Sequence, residues 1–280
     1  MYKQSPGDYD TIFEAGSDIL GFDIKKAMFE GTKEELTRTE VSQPAIYTMS
    51  LMCLKRYTLD GGEYSAVAGH SLGEYAAMTA AGMTDTETGF TLIKHRAACM
   101  ERAARKNGGV MSAIMGADRE LIEKICLAVT SEGSYVAAAN YNSPQQTVIS
   151  GSPEGVEKAS ERLKEAGAKR TVPLAVAAAF HSEYMKEAAL EFEELISGIV
   201  FKKPEKAFYS NVLGARLDDI SDIRSLLSRH ICSPVRFTDE LFAMSADGAD
   251  SFVECGPGKA LTGMVKKTLE NVSARATDNG

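Results

Sequence analysis

The chain has 280 residues, 44% of them hydrophobic and 25% charged, with a formal net charge of −8. That length can bury a sizeable core in one large domain or in a domain with an insertion, and the acidic balance argues against nucleic acid as a partner. No apolar run reaches bilayer-spanning length and no signal-peptide pattern opens the chain, so a cytoplasmic location with no membrane partner is expected.

In chain order, Asp8 is expected to cap a first helix that ends at Gly21. Thr32 with Glu35 reads as a capping box for a short helix, and Pro44 fits the first turn of a long helix over 45–57. The apolar run Tyr64-Ser65-Ala66-Val67-Ala68 reads as a strand. A helix over 74–81 follows, then another over 86–106 with Asp85 as its cap. Strands are expected over 109–116, 135–141, 146–151 and 169–174. Helices lie between them over 119–130 and 153–166, the second framed by Ser152 as cap, Pro153 at its first position and Gly167 past its end. Strand–helix–strand–strand–helix–strand is the ferredoxin-like order. A helix over 182–197, a strand over 207–210, two more helices, a strand over 251–254 and a final helix from Lys259 complete the chain, with 274–280 expected to fray. The fold class is therefore α/β: an α/β-hydrolase-like large domain with a parallel sheet, formed by 1–106 plus 176–280, and an inserted ferredoxin-like small domain over 107–175.

Gly69-His70-Ser71-Leu72-Gly73 is a G-x-S-x-G pentapeptide between a strand and a helix, the context of a nucleophile elbow. A serine on that sharp turn presents its hydroxyl above the sheet edge, and the flanking glycines let backbone and helix approach. The helix N-terminus beside it favours a developing oxyanion. Such a serine needs a base, and the sequence offers four histidines. His70 adjoins Ser71 and should point to the opposite face. His95 lies mid-helix, and His230 near a helix end. His181, where an apolar run gives way to a helix, is the best of the four, because a helix start opposes protonation of an imidazole. No Asp or Glu is singled out as a third member, and backbone carbonyls can orient the imidazole instead. The cysteines (Cys53, Cys99, Cys126, Cys232, Cys255) are odd in number and lack a C-x-x-C pair, so they read as reduced thiols and give no metal site.

Ser42-Gln43-Pro44-Ala45, Gly69 to Tyr75, Lys94-His95-Arg96, Ala139-Asn140-Tyr141-Asn142-Ser143-Pro144, Ala179-Phe180-His181-Ser182, Ser233-Pro234-Val235-Arg236 and Glu254-Cys255-Gly256-Pro257-Gly258-Lys259 occur in this order. Together they resemble the malonyl-CoA:acyl-carrier-protein transacylases of fatty acid synthesis and the related acyltransferase domains of polyketide synthases. The resemblance runs essentially end to end. It implies that Ser71 is the nucleophile that becomes malonylated and that His181 takes its proton. Arg96 then pairs with the free malonyl carboxylate, a strong bidentate contact that selects an acidic acyl group over acetyl. Read alone, Arg96 is one more solvated helix charge. The resemblance further places Gln43 near the site and makes the Leu72 backbone N–H an oxyanion donor. His230 stands where the family usually has glutamine, whose backbone carbonyl holds the catalytic imidazole. Phe180 resembles the malonyl-selective form, its ring crowding an added methyl at a cost of about 1–3 kcal/mol. Asn140 and Asn142 fall in a motif near the cleft, with a turn role before Pro144 as an equal alternative.

The family opens with an apolar strand and a Gly-Gln-Gly loop that supplies a second oxyanion N–H; this chain starts at Met1-Tyr2-Lys3-Gln4-Ser5-Pro6, past that segment. The expected activity is ping-pong transfer of malonyl from malonyl-CoA to acyl carrier protein through malonyl-Ser71, with no metal or cofactor, by a monomer. The alternatives are an acyltransferase acting in trans on a polyketide synthase, a serine acyl hydrolase, and a non-catalytic protein that binds the acidic carrier through Lys202, Lys203, Lys206, Lys259, Lys266 and Lys267.

Overall fold

The computed structural model describes residues 6–277. Helix α1 (Asp10–Leu20) ends on Gly21 at φ 82°, the left-handed backbone common at helix C-termini. Its start differs from the expectation: Asp8 lies in a 3-10 turn and Tyr9 precedes the helix with no side-chain cap bond. Tyr9 is fully buried, so packing sets this helix start in place of a polar cap. Helix α2 (Ile24–Glu30) is capped by the Asp23 side chain, and α3 (Lys33–Thr37) carries the reciprocal Thr32/Glu35 capping box.

Helix α4 (Thr39–Leu59) begins well before residue 45, so Pro44 sits inside it. The bond that Pro44 cannot donate is the one to the Glu40 carbonyl, in the opening turns where a proline costs least. Strand β1 (Ala66–Val67) leads through the Ser71 turn to α5 (Gly73–Ala80). Helix α6 (Thr86–Asn107) starts under the Asp85 cap, whose carboxylate accepts from Thr88 N.

Strands β2 (Val110–Met115), β3 (Val136–Ser143), β4 (Gln146–Gly151) and β5 (Arg170–Pro173) form one antiparallel sheet in the order β3-β4-β2-β5. Helices α7 (Arg119–Ser131) and α8 (Pro153–Glu165) are the crossovers, which makes the topology ferredoxin-like. Asn140 and Asn142 lie in β3, and the turn falls at Pro144-Gln145, so the turn role is not theirs. Beneath the sheet, Ile114, Ile122, Val129, Val136, Ile149, Val156 and Leu163 pack in an apolar core of their own.

The helix expected from Ser182 opens as a 3-10 turn (Glu183–Met185) before α9 (Lys186–Leu195). Strand β6 (Ala207–Ser210) pairs parallel with β1 and antiparallel with β7 (Ala215–Arg216), a short strand the sequence did not announce. Helices α10 (Ile223–Cys232) and α11 (Phe237–Ala246) follow. Strand β8 (Ser251–Glu254), α12 (Ala260–Thr268) and β9 (Ser273–Ala276) close the chain. The fraying expected from 274 is overturned for 274–276, which pair in parallel with β8; residues 278–280 lie outside the described residues. Glu254 of β8 caps α12, its carboxylate accepting from Leu261 N and Thr262 N. No helix among the described residues is long and apolar enough to cross a membrane.

Candidate active site

Strand β1 delivers Ser71 at its C-terminal end, and the turn is tight enough to exclude a side chain at residue 69. A Cβ on Gly69 would lie 2.0 Å from the Gly73 carbonyl carbon. Gly73 differs, because a Cβ there meets nothing within 4 Å; the close approach rests on the first glycine alone. Ser71 has φ 53° and His181 φ 55°, left-handed backbone that non-glycine residues adopt only under constraint. The turn's backbone bonds run from Gly73 N to His70 O, Glu74 N to Ser71 O and Tyr75 N to Leu72 O. That ladder leaves the Leu72 N–H, at the start of α5, outside it.

His181 Nε2 lies 2.7 Å from Ser71 Oγ. Its Nδ1 faces two carbonyl oxygens, of His230 at 3.0 Å and Ser233 at 3.2 Å. Carbonyls only accept, so Nδ1 carries the proton and bare Nε2 accepts the Ser71 hydroxyl. The groups facing Nδ1 are thus backbone carbonyls, and among the described residues no carboxylate hydrogen-bonds to it. Burial is the main force holding His181 below its usual value, at about 3, with the charge of Arg96 next. No α-helix starts at His181: a 3-10 turn (Glu183–Met185) separates it from α9, so burial and Arg96 rather than a helix N-terminus lower its pKa.

Arg96 departs furthest from its reading as a surface charge: it is 1% exposed. From α6 its guanidinium donates to Gln43 Oε1 at 2.6 Å and to Ser71 Oγ at 2.9 Å, and it lies 5.4 Å from the Tyr75 ring centroid. Among the described residues its Nε has no hydrogen-bond partner and no ion pair engages it. A buried cation without a counter-charge is costly, and the cost is recovered when a ligand brings one. Gln43, buried on α4, also reaches Met100 Sδ at 3.7 Å.

His70 turns away from Ser71 as expected, its Nε2 2.8 Å from Asn142 Oδ1. His95 is half-buried on α6. Phe180 packs between the main core and a small cluster of Met111, Ala113, Ala139 and Val148. Asn140, buried, bridges in parallel to Val235. Tyr141 N donates to Val235 O and Val235 N to Ala139 O, both at 2.8 Å. This joins the small sheet to the segment that supplies the Ser233 carbonyl. No cluster of three or more His, Cys, Asp or Glu among the described residues is placed to hold a metal.

Sequence reasoning missed Asn211, which follows β6. Its Oδ1 accepts from Ser71 N at 2.6 Å. Its one advance signal was position, just past the predicted strand over 207–210, since α/β proteins assemble their sites at the C-terminal ends of strands.

Acyl transferase domains as a family match residues 9–278. A malonyl CoA-acyl carrier protein transacylase of Bacillus subtilis (strain 168) is 39% identical over 279 residues, 100% of this chain and 88% of the relative. The chain belongs to the acyl transferase family. Among solved structures, an acyl-carrier-protein S-malonyltransferase from Burkholderia pseudomallei 1710b is similar at TM-score 0.94 and 35% identity, over 99% of this chain and 90% of that one. A malonyl-transacylase in complex with a type II polyketide synthase acyl-carrier protein is similar at TM-score 0.93 and 36% identity, over 98% and 89%.

Proposed function

We infer that this chain transfers the malonyl group from malonyl-CoA to the phosphopantetheine thiol of acyl carrier protein, in fatty acid biosynthesis, by way of a malonyl-Ser71 ester. The observation that carries the choice of acyl group is the buried Arg96, which has no ion-pair partner among the described residues and lies 2.9 Å from Ser71 Oγ. A malonyl carboxylate supplies the charge this guanidinium lacks and places the thioester carbon beside Ser71 Oγ. An acetyl group cannot.

In the first half-reaction the Ser71 proton passes to His181 Nε2 as Oγ attacks the thioester carbon. The Leu72 N–H holds the oxyanion. Collapse breaks the C–S bond, and His181 returns its proton to the departing CoA sulfur. In the second, the carrier thiol gives its proton to His181 and attacks the ester, and Ser71 recovers a proton as it leaves. His181 remains neutral between steps because burial and Arg96 disfavour its protonation. The carbonyls of His230 and Ser233 keep its Nε2 directed at Ser71.

The same reading treats 107–175 as a small domain inserted between 1–106 and 176–280, supported by its own four-stranded sheet and separate apolar core. Asn140 and Phe180 lie where it meets the large domain, Phe180 against the substrate's α-carbon. The setting is cytoplasmic, where malonyl-CoA and the carrier protein meet. Intact-protein mass spectrometry after brief incubation with malonyl-CoA tests the reading. One malonyl adduct is expected on the parent and none on Ser71→Ala; an adduct that survives Ser71→Ala removes the nucleophile assignment.

A further inference from the structure

Beneath the Ser71 turn lies a buried polar cluster that the chemistry above does not use: Glu74, Asn211, His230 and Glu240, each 0% exposed. Asn211 sits at its centre with every hydrogen-bonding position of its amide taken. Oδ1 accepts from Ser71 N at 2.6 Å and lies 3.0 Å from His230 Nε2. Nδ2 donates to Gly69 O and to Glu240 Oε1, both at 2.6 Å. The backbone N–H and carbonyl partners fix which end is oxygen and which nitrogen. The backbone of Asn211 is also clamped, N donating to Glu74 Oε2 at 3.0 Å and O accepting from Arg236 N at 2.9 Å.

These contacts converge on the two strained points of the site. Gly69 O and Ser71 N flank the elbow, so one side chain grips both ends of the turn that holds Ser71 at φ 53°. His230 is the residue whose carbonyl orients His181 Nδ1, and Arg236 follows the Ser233 segment that supplies the second orienting carbonyl. Burial and neighbouring positive charge keep the His230 ring neutral, so its Nε2 can bear the one ring proton and donate it to Asn211. A two-state hinge between nucleophile and base would need these bonds to break together.

Building on the transferase reading above, we propose that Asn211 is a positioning residue that locks the Ser71 turn to the His181-orienting segment and so sets the Ser71–His181 distance, without touching substrate. No other uncharged side chain of that size offers two acceptor and two donor sites in one plane. Leucine in its place keeps the volume and abandons all four partners.

Rapid-quench mass spectrometry of malonyl-Ser71 formation, run against malonyl-CoA concentration, separates maximal rate from half-saturation. Asn211→Leu is expected to lower the maximal rate about 10²-fold, the scale of a small misplacement of reacting groups. Half-saturation should stay near the parental value, because Arg96 and Gln43 are untouched. A folded Asn211→Leu protein that loads at the parental maximal rate, or that loses only half-saturation, overturns the proposal. His230→Leu keeps the orienting carbonyl and removes the donor to Asn211, along with the ring's contacts to Tyr75, His181 and Glu74; it should slow loading about 10-fold, in line with the loss of one buried hydrogen bond. His230→Gln, which restores a side-chain donor, should recover most of that loss. If Asn211→Leu fails to fold, this pair decides, and equal rates for His230→Leu and His230→Gln overturn the proposal. A parent that forms no adduct overturns the transferase reading along with it. A parent that loads beside unaffected variants overturns the positioning role alone.

Discussion

Under the small sheet the chain buries Ile114, Ile122, Ile149, Leu163 and their neighbours with no charged side chain among them, whereas under Ser71 it buries Glu74, Arg96, His181, His230 and Glu240. The first core follows from alternation along strands and helical spacing, and its energy is area removed from water. The second spends that kind of energy on holding ionisable groups out of water, where each must find a partner or change its protonation. Glu74 is pushed up to about 8, burial outweighing the hydrogen bond from Asn211. Glu240 is also raised, by burial and then by Glu74, and His181 is lowered.

Arg96→Ala should give the largest effect on activity. Malonyl loading is expected to fall about 10²–10³-fold, the scale of a lost buried charge pair, while hydrolysis of a simple ester is unchanged or raised. Parallel rates with malonyl-CoA and a neutral ester measure both; unaltered malonyl loading removes the role given to Arg96 and favours a hydrolase. In the small core, Leu163→Ala should cost about 2–5 kcal/mol in urea unfolding through the cavity it leaves. Its loading rate per folded molecule should match the parent, and a loss of rate there would show that the two cores are not independent.

A smaller effect concerns pH. Arg96 is one cause of the low His181 value, and a bound malonyl carboxylate neutralises it. The acidic limb of kcat for loading, which reports the bound complex, should then lie at higher pH than that of kcat/KM, which reports the free protein. Coincident limbs would mean that the two groups are not electrostatically coupled in the complex. Smallest is the contribution of Glu74 to thermal stability. Its folded pKa lies above its unfolded one, so the folded state binds the proton more tightly. Stability from this group is full at pH below about 4.5 and is lost as pH rises toward about 8. Glu74→Gln should therefore show a flatter fall in Tm than the parent between those limits, and parallel curves would place the titration elsewhere.

How much of this was legible depends on the range of the interaction concerned. Ser152, Asp85 and the Thr32/Glu35 pair cap helices where their spacing said they would, because a cap is satisfied within three or four residues. Pro44 was misjudged for a related reason: local preference favours the first turn, and the packing of α4 against α1, α5 and α6 overrode it. Strand β9 went unread because Ser273-Ala274-Arg275-Ala276 carries little strand signal and becomes a strand only against β8.

By itself the sequence determined the elbow, since the Gly69–Gly73 pentapeptide puts Ser71 between a strand and a helix; that Gly69 alone of the two glycines is closed to a side chain came from the fold. It also determined the βαββαβ order over 107–175, and it singled out His181, among few histidines, as the imidazole to be found beside Ser71. Only the tertiary structure decided that Arg96 is buried beside Ser71 and Gln43, that carbonyls of His230 and Ser233 complete the site, and that Asn211 ties the parts together. The physical reason is separation along the chain. Asn211 meets Ser71 across 140 residues and His181 meets Ser71 across 110. A polar side chain that will be buried looks the same in sequence as one that will face water, until the fold supplies its partners.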